Sequence, residues 1–223
     1  MNFRLAVFDI AGTTVEDPDG VGGSLKAALT ADEVPWKAET VNSVMGIPKP
    51  LAIRYLLESA DLRATEGRIN SIHMDFQARM IHYYANDPSV KEVDGARDVL
   101  QQLRGMGISV ALDTGFDRAI VDVLLKRLGW DDAVIDSSVT SDEVAQGRPF
   151  PDMIYKLMNE FGVEDASQVI KVGDTPSDMI EGTAAGCGMV VGVTSGTHSE
   201  DLLSPHPHTH LIHSIRDLPA LLD

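Results

Sequence analysis

Three short apolar runs, far apart in the chain, each deliver an acid at their end. Leu5-Ala6-Val7-Phe8 leads into Asp9, Val110-Ala111-Leu112 into Asp113-Thr114-Gly115, and Val169-Ile170-Lys171-Val172 into Gly173-Asp174. Near-continuous apolar runs of this length suit strands covered on both faces. Strand-like runs alternate with helix-like stretches, which is the pattern of a parallel α/β sheet. The clear strands are expected at Arg4–Phe8, Ser109–Leu112, Gln168–Val172 and Met189–Val193, with weaker ones at Ala133–Ile135 and His210–Ile212. Amphipathic helices are expected at Gly95–Gly105, Asp117–Leu128, Pro151–Glu160, Pro176–Ala185 and Arg216–Leu222.

One region breaks the alternation. From about Gly20 to Asn86 the spacing is helical, as in Leu51-Ala52-Ile53-Tyr55-Leu56-Leu57 and Met74-Phe76-Met80-Ile81. Turn-rich junctions bound it, Glu16-Asp17-Pro18-Asp19-Gly20 before and Asn86-Asp87-Pro88-Ser89 after. The expectation is a doubly wound α/β core built from residues 1–15 and 90–223, with residues 16–89 inserted as a helical cap. Two linkers would let such a cap open and close over a site at the strand ends. The alternative is one continuous α/β domain with extra helices.

Bulk properties narrow the partners. The 223 residues carry 34 acidic and 18 basic side chains, a formal net charge of −16, which argues against nucleic acid or an anionic membrane. An anionic substrate would therefore need a locally positive site. No apolar run reaches the length of a membrane span, and the N-terminus enters a strand directly, without a signal peptide's h-region. A cytoplasmic protein is the default expectation. The single cysteine, Cys187, forms no intramolecular disulfide and reads as a packing residue. Three histidines at alternate positions, His206, His208 and His210, with His213 beyond, offer a transition-metal pattern. A loop entering the last strand explains them equally.

Ligands of doubly wound sheets bind beyond the carboxyl ends of the strands. Collected there, Asp9, Asp174 and Asp178, the Thr114 hydroxyl with the Gly115 N–H, and Arg148 in Gln146-Gly147-Arg148-Pro149 suit magnesium and a phosphoryl group. This set of motifs, in this order, resembles the haloacid dehalogenase superfamily, and the resemblance covers the whole chain, including a C1-type cap after the first strand. It implies Asp9 as nucleophile, giving an aspartyl-phosphate. It implies Mg2+ held by Asp9, the carbonyl of Ala11 and Asp174, with Asp178 orienting metal-bound water. Gly12 and Thr13, beside the nucleophile, are expected at the phosphate. Thr114, Gly115 and Arg148 would neutralise the transferring oxygens.

Position 11 is the departure. Most phosphatases of this superfamily carry a second Asp two residues after the nucleophile, which protonates the leaving alkoxide; Ala11 donates nothing. The D-x-A-G-T form, with Arg148 in place of the more usual Lys, resembles the phosphonatase branch. That branch stabilises its leaving group through a Schiff base on a cap lysine. Lys49, in Val44-Met45-Gly46-Ile47-Pro48-Lys49-Pro50, matches the branch's M-G-x-x-K, with Met45 on the substrate side and Arg54 beyond. Flanking prolines, Met45 and Ile47 place Lys49 in a stiff apolar loop that lowers its pKa.

The histidine expected three residues after the lysine is Ala52 here; His73 and His82 are the cap's other candidates for its proton-shuttling role. The resemblance thus implies cleavage of the C–P bond of a small 2-oxoalkyl phosphonate, with homodimerisation through the cap a further expectation. Two rivals stay open: a phosphomonoesterase or phosphomutase with Lys49 as a simple cation, and a catalytically weak binding or regulatory protein.

Overall fold

The computed structural model describes residues 2–222. Its centre is one six-stranded, all-parallel sheet in the order β3-β2-β1-β4-β5-β6. The strands are β1 (Leu5–Phe8), β2 (Ser109–Thr114), β3 (Ser137–Thr140), β4 (Val169–Gly173), β5 (Met189–Val193) and β6 (His210–Ile212). Between β1 and β2 come α1 (Gly20–Ala31), α2 (Ala38–Asn42), α3 (Lys49–Ser59), α4 (Glu66–Asn86) and α5 (Ala96–Gly105). The remaining helices are α6 (Arg118–Leu128), α7 (Asp152–Glu160), α8 (Pro176–Ala185) and the short α9 (Glu200–Leu203).

Strand β1 is buried along its whole length and its side chains divide between the faces. Ala6 and Phe8 join an apolar cluster with Leu112, Val172 and Leu100, while Leu5 and Val7 join Val139, Met153, Ile154 and Leu157 of the opposite face. The first cluster runs on without a break into Ile53, Leu57, Phe76 and Met80 of α3 and α4. The two linkers to these helices lie side by side. Val93 N–H donates to Thr14 O (2.9 Å) and Glu16 N–H to Lys91 O (3.0 Å).

Three expectations about elements are corrected. Residues Ala133–Ile135 form a turn, in which the N–H groups of Val134 and Ile135 both donate to Asp131 O, and the third strand is Ser137–Thr140. Val134 and Ile135 are apolar because they plug the core from that turn; the strand itself is polar because it lies at the sheet edge. Residues Ile215–Leu221 form a 3-10 helix, since Pro219 lies inside it and has no N–H for an α-helical ladder. Lys49 opens α3 instead of lying in a loop, because Pro48 and Pro50 suit the first turn of a helix.

Candidate active site

The strand order places β1 between β2 and β4, so Asp9, Asp113-Thr114 and Asp174 leave the sheet side by side at its carboxyl edge. A cleft opens there, lined on the sheet side by Asp9, Ala11, Thr114 and Gly115 and on the other by Met45, Gly46 and Lys49. Thus the expected nucleophile and the expected cap lysine share one cavity. Arg148, Asp174 and Asp178 lie fully buried behind it.

Arg148 is the hub of a buried ion network. Its Nη1 donates to Asp9 Oδ1 at 2.6 Å and lies 2.9 Å from Asp178 Oδ1; Nη2 reaches the Asp113 carbonyl at 2.7 Å and the Asp113 carboxylate; Nε donates to Glu181 Oε2 at 3.0 Å. A second buried cation, Lys171, contacts Asp113 and lies 3.1 Å from both Asp178 Oδ1 and Glu181 Oε2. Burial would expel isolated charges, but these carboxylates hold both cations charged and raise the pKa of each. Glu181, itself buried and beside Asp113, is pushed up to about 8. Sequence reasoning missed Asp113, Lys171 and Glu181 as site residues. The available signal was the single charge inside an otherwise apolar strand, which needs a partner once the strand is central.

The carboxylates at and behind the cleft repel one another. Burial, with Asp9 and Asp178 nearby, pushes Asp174 up to about 8; burial pushes Asp9 up to about 6 against the pull of Arg148. Oxygens of Asp9, Asp174 and Asp178 lie within 4.8 Å of one another, the right set for a hard divalent cation. A second acidic trio, Asp113, Asp178 and Glu181, already encloses Arg148 and Lys171. Asp178 Oδ2 accepts from the N–H and hydroxyl of Thr175 (3.2 and 2.5 Å), which leaves it a supporting position behind Asp9 and Asp174.

Two expected phosphate contacts turn elsewhere. The Thr13 hydroxyl donates to Asp174 Oδ1 at 3.0 Å, completing a clamp with Thr197 N–H on Oδ2 at 2.6 Å. Gly12, at φ +90°, also faces Asp174, whose Oδ2 a Cβ there would strike. Both position Asp174 and neither lines the cleft.

On the opposite wall, Lys49 is 3% exposed, with Nζ 5.7 and 5.5 Å from the ring centroids of Phe76 and Phe116. Its one hydrogen bond is to Ile47 O at 3.4 Å. Burial lowers its pKa to about 8, and its place at a helix N-terminus works in the same direction. Ala52, one turn on, is completely buried. Neither His73 nor His82 lines the cleft: His73 Nε2 pairs with Asp117 at 2.9 Å, and His82 contacts Asn86 on its own helix. Arg54 of α3 is tied to Glu66 of α4 at 2.5 Å.

Comparison with known proteins agrees with this geometry. The family model for haloacid dehalogenase-like hydrolases matches residues 6–192. A curated phosphonoacetaldehyde hydrolase from Bacillus cereus (strain ATCC 14579) is 31% identical over 210 residues, covering 88% of this chain and 78% of the relative. The chain belongs to the haloacid dehalogenase-like hydrolases. Among solved structures, a phosphonoacetaldehyde hydrolase-like protein from Oleispira antarctica superposes with a TM-score of 0.87 at 22% identity, covering all of this chain and 92% of that one. A predicted phosphoglycolate phosphatase from Haemophilus somnus 129Pt gives 0.83 at 21% identity, covering all of this chain and 99% of that one. At these identities the structures establish the shared haloacid dehalogenase-like fold and no substrate.

Two side features of this hydrolase lie apart from the cleft. His208 Nδ1 donates to His206 O (2.7 Å) and His210 opens β6, and among the described residues no metal-holding group includes them. Cys187, between α8 and β5, has its thiol pushed up to about 12 by burial. No helix among the described residues is long and apolar enough to cross a membrane.

Proposed function

We propose that this chain is a magnesium-dependent hydrolase that cleaves the C–P bond of phosphonoacetaldehyde or a related small 2-oxoalkyl phosphonate. One observation carries the reading: a buried lysine amine, lowered to about pKa 8, faces the same cleft as the nucleophilic carboxylate, while position 11 offers no acid. Phosphate-ester chemistry needs the acid and has no use for a neutral amine; carbanion-type leaving groups need the reverse.

The roles follow from position. Arg148 holds Asp9 Oδ1, which fixes the carboxylate and leaves Oδ2 to attack phosphorus. The neutral Lys49 amine adds to the substrate carbonyl, and loss of water gives a protonated imine. That imine accepts the electron pair of the breaking C–P bond as an enamine, while the phosphoryl group passes to Asp9. The Thr114 hydroxyl and the Gly115 N–H neutralise its oxygens, Arg148 acts through its hold on Asp9, and water then frees phosphate from Asp9. Magnesium held by Asp9, the Ala11 carbonyl and Asp174, with Asp178 behind, would supply charge neutralisation for the approach of two anions. Exposed Leu51 and Tyr55 on α3, with Met74 on α4, support an association of two copies through the cap.

Ala52 favours a second reading. With a methyl where the phosphonatase pattern has an imidazole, Lys49 would serve as a cation in a small phosphate-ester hydrolase. A panel assay separates the two. Phosphate release from phosphonoacetaldehyde should exceed that from small phosphate esters and vanish in Lys49→Arg, which keeps the charge but not the neutral amine. Native-level turnover of the phosphonate by Lys49→Arg would contradict the proposal.

A further inference from the structure

We infer that Asp17 is the proton-transfer residue for the amine chemistry at Lys49, an inference that rests on the Schiff-base reading above. Imine formation moves protons between nitrogen, oxygen and solvent, and the side chain at position 52 cannot take part. Among the described residues, Asp9 and Asp17 are the carboxyls that line the cleft, and no imidazole does. Asp9 is committed to phosphorus and to Arg148.

Asp17 has a second property. It is the residue shared by the cleft wall and the wall of an outer groove, which runs along Gly12, Glu16, Pro18, Asp94, Gly196 and His213. A carboxyl on that boundary can exchange protons with solvent on one side and reach the substrate carbonyl on the other. Its orientation is fixed: Val21 N–H, at the start of α1, lies 3.1 and 3.3 Å from its two oxygens. Asp19 on the same linker, Tyr83 and Tyr84 from α4, and Lys49 from α3 feel or supply its electrostatic field, and Glu16, Asp94 and His213 share the groove. Burial raises its pKa, which brings it nearer the pH at which a proton relay works. The Tyr84 hydroxyl, buried without a hydrogen-bond partner, lies within the same field.

The proton balance closes with Asp17 alone. As Lys49 nitrogen bonds to the carbonyl carbon, the C=O electron pair moves to oxygen; the Asp17 carboxylate takes the surplus proton from nitrogen and returns it to that oxygen. Recharged from the groove, Asp17 protonates the hydroxyl, which leaves as water while the nitrogen lone pair closes the imine. After the C–P pair has entered the enamine, a further proton from the groove passes through Asp17 to the terminal carbon; water then adds to the protonated imine, the C–N bond breaks to release the aldehyde and the neutral Lys49 amine, and the surplus proton leaves through Asp17.

The test is the rate at which borohydride traps substrate on Lys49, with phosphonoacetaldehyde as the probe. Asn still caps a helix start, so Asp17→Asn should fold. It should trap on the order of 10²-fold more slowly and lose the part of the native pH dependence that Asp17 contributes, while the rise through about pH 8 set by the Lys49 amine stays. Asp17→Glu should restore most of that rate. Trapping by Asp17→Asn at the native rate overturns the inference while leaving the Lys49 reading intact. So does a slowed Asp17→Asn that keeps the native pH profile and is no slower than Asp17→Glu, because that assigns Asp17 to holding the helix end. Absence of an adduct in the native protein overturns the Schiff-base reading itself.

Discussion

A charged amine buried between two phenylalanine rings, with no carboxylate in ion-pair contact among the described residues, costs the fold stability. The sign is set by the lowered pKa of Lys49, from 10.5 to about 8. Below about pH 8 both folded and unfolded chains hold the proton and the full penalty applies. Between there and 10.5 only the unfolded chain holds it, so stability rises with pH. The shift corresponds to roughly 3 kcal/mol, partly offset by cation–π attraction worth about 0.5–2 kcal/mol. Replacing Lys49 by Met should therefore raise the denaturation free energy at pH 7 by about 1–3 kcal/mol, while C–P cleavage is lost. The advantage over the native protein should shrink toward pH 10, as urea titrations would read. At this scale Asp9, Thr114 and Asp174 were legible as candidates because strands deliver them at their ends, with Arg148 shortly before α7 and Asp178 in the first turn of α8. Lys171 and Glu181 were not, since their pairing depends on a strand and a helix brought together by the fold, ten positions apart.

At the scale of elements, the segment before α3 sits against the sheet edge with no room to spare. A Cβ on Gly115 would lie 2.8 Å from Ile47 O and 3.0 Å from Gly46 O, so backbone must move. Gly115 follows β2, and its neighbour Phe116 is one of the rings over Lys49. Gly115→Ala should leave the sheet folded but displace the loop that carries Met45 and leads into Lys49. A 1 Å misplacement costs on the order of 10² in rate, so kcat/KM should fall by about that factor with an unchanged circular dichroism spectrum. Further out, α4 is strapped to the start of α6, where Asp117 Oδ2 accepts from Gln77 Nε2 at 3.1 Å and lies 2.9 Å from His73 Nε2. The alternation of strands and helices was readable from hydrophobic runs. The edge strand Ser137–Thr140 was not, because an edge strand needs apolar residues on one side only and the apolar signal belonged to the preceding turn.

For the whole molecule, the charge distribution opposes the proposed chemistry, and the buried cations of the site are largely spent on its own carboxylates. The surface carries most of a formal −16, while Arg148, Lys171 and Lys49 are withdrawn into or behind the cleft. An anionic phosphonate therefore approaches against the long-range field and is captured only at short range. Salt screens the first effect over about 8–10 Å and acts little on buried pairs. Hence kcat/KM should rise by about twofold on going from low salt to physiological ionic strength, at fixed magnesium, before any decline. A steady fall from the lowest salt upward would mean that the cleft itself steers the substrate.

The central claim is that Lys49 bonds to the substrate carbonyl. Native protein treated with borohydride and phosphonoacetaldehyde should carry one reduced adduct, located by peptide mass spectrometry on Lys49. Its yield should increase as pH rises through about 8, where the amine becomes neutral. An unmodified Lys49 under conditions in which the phosphonate still releases phosphate would contradict the account.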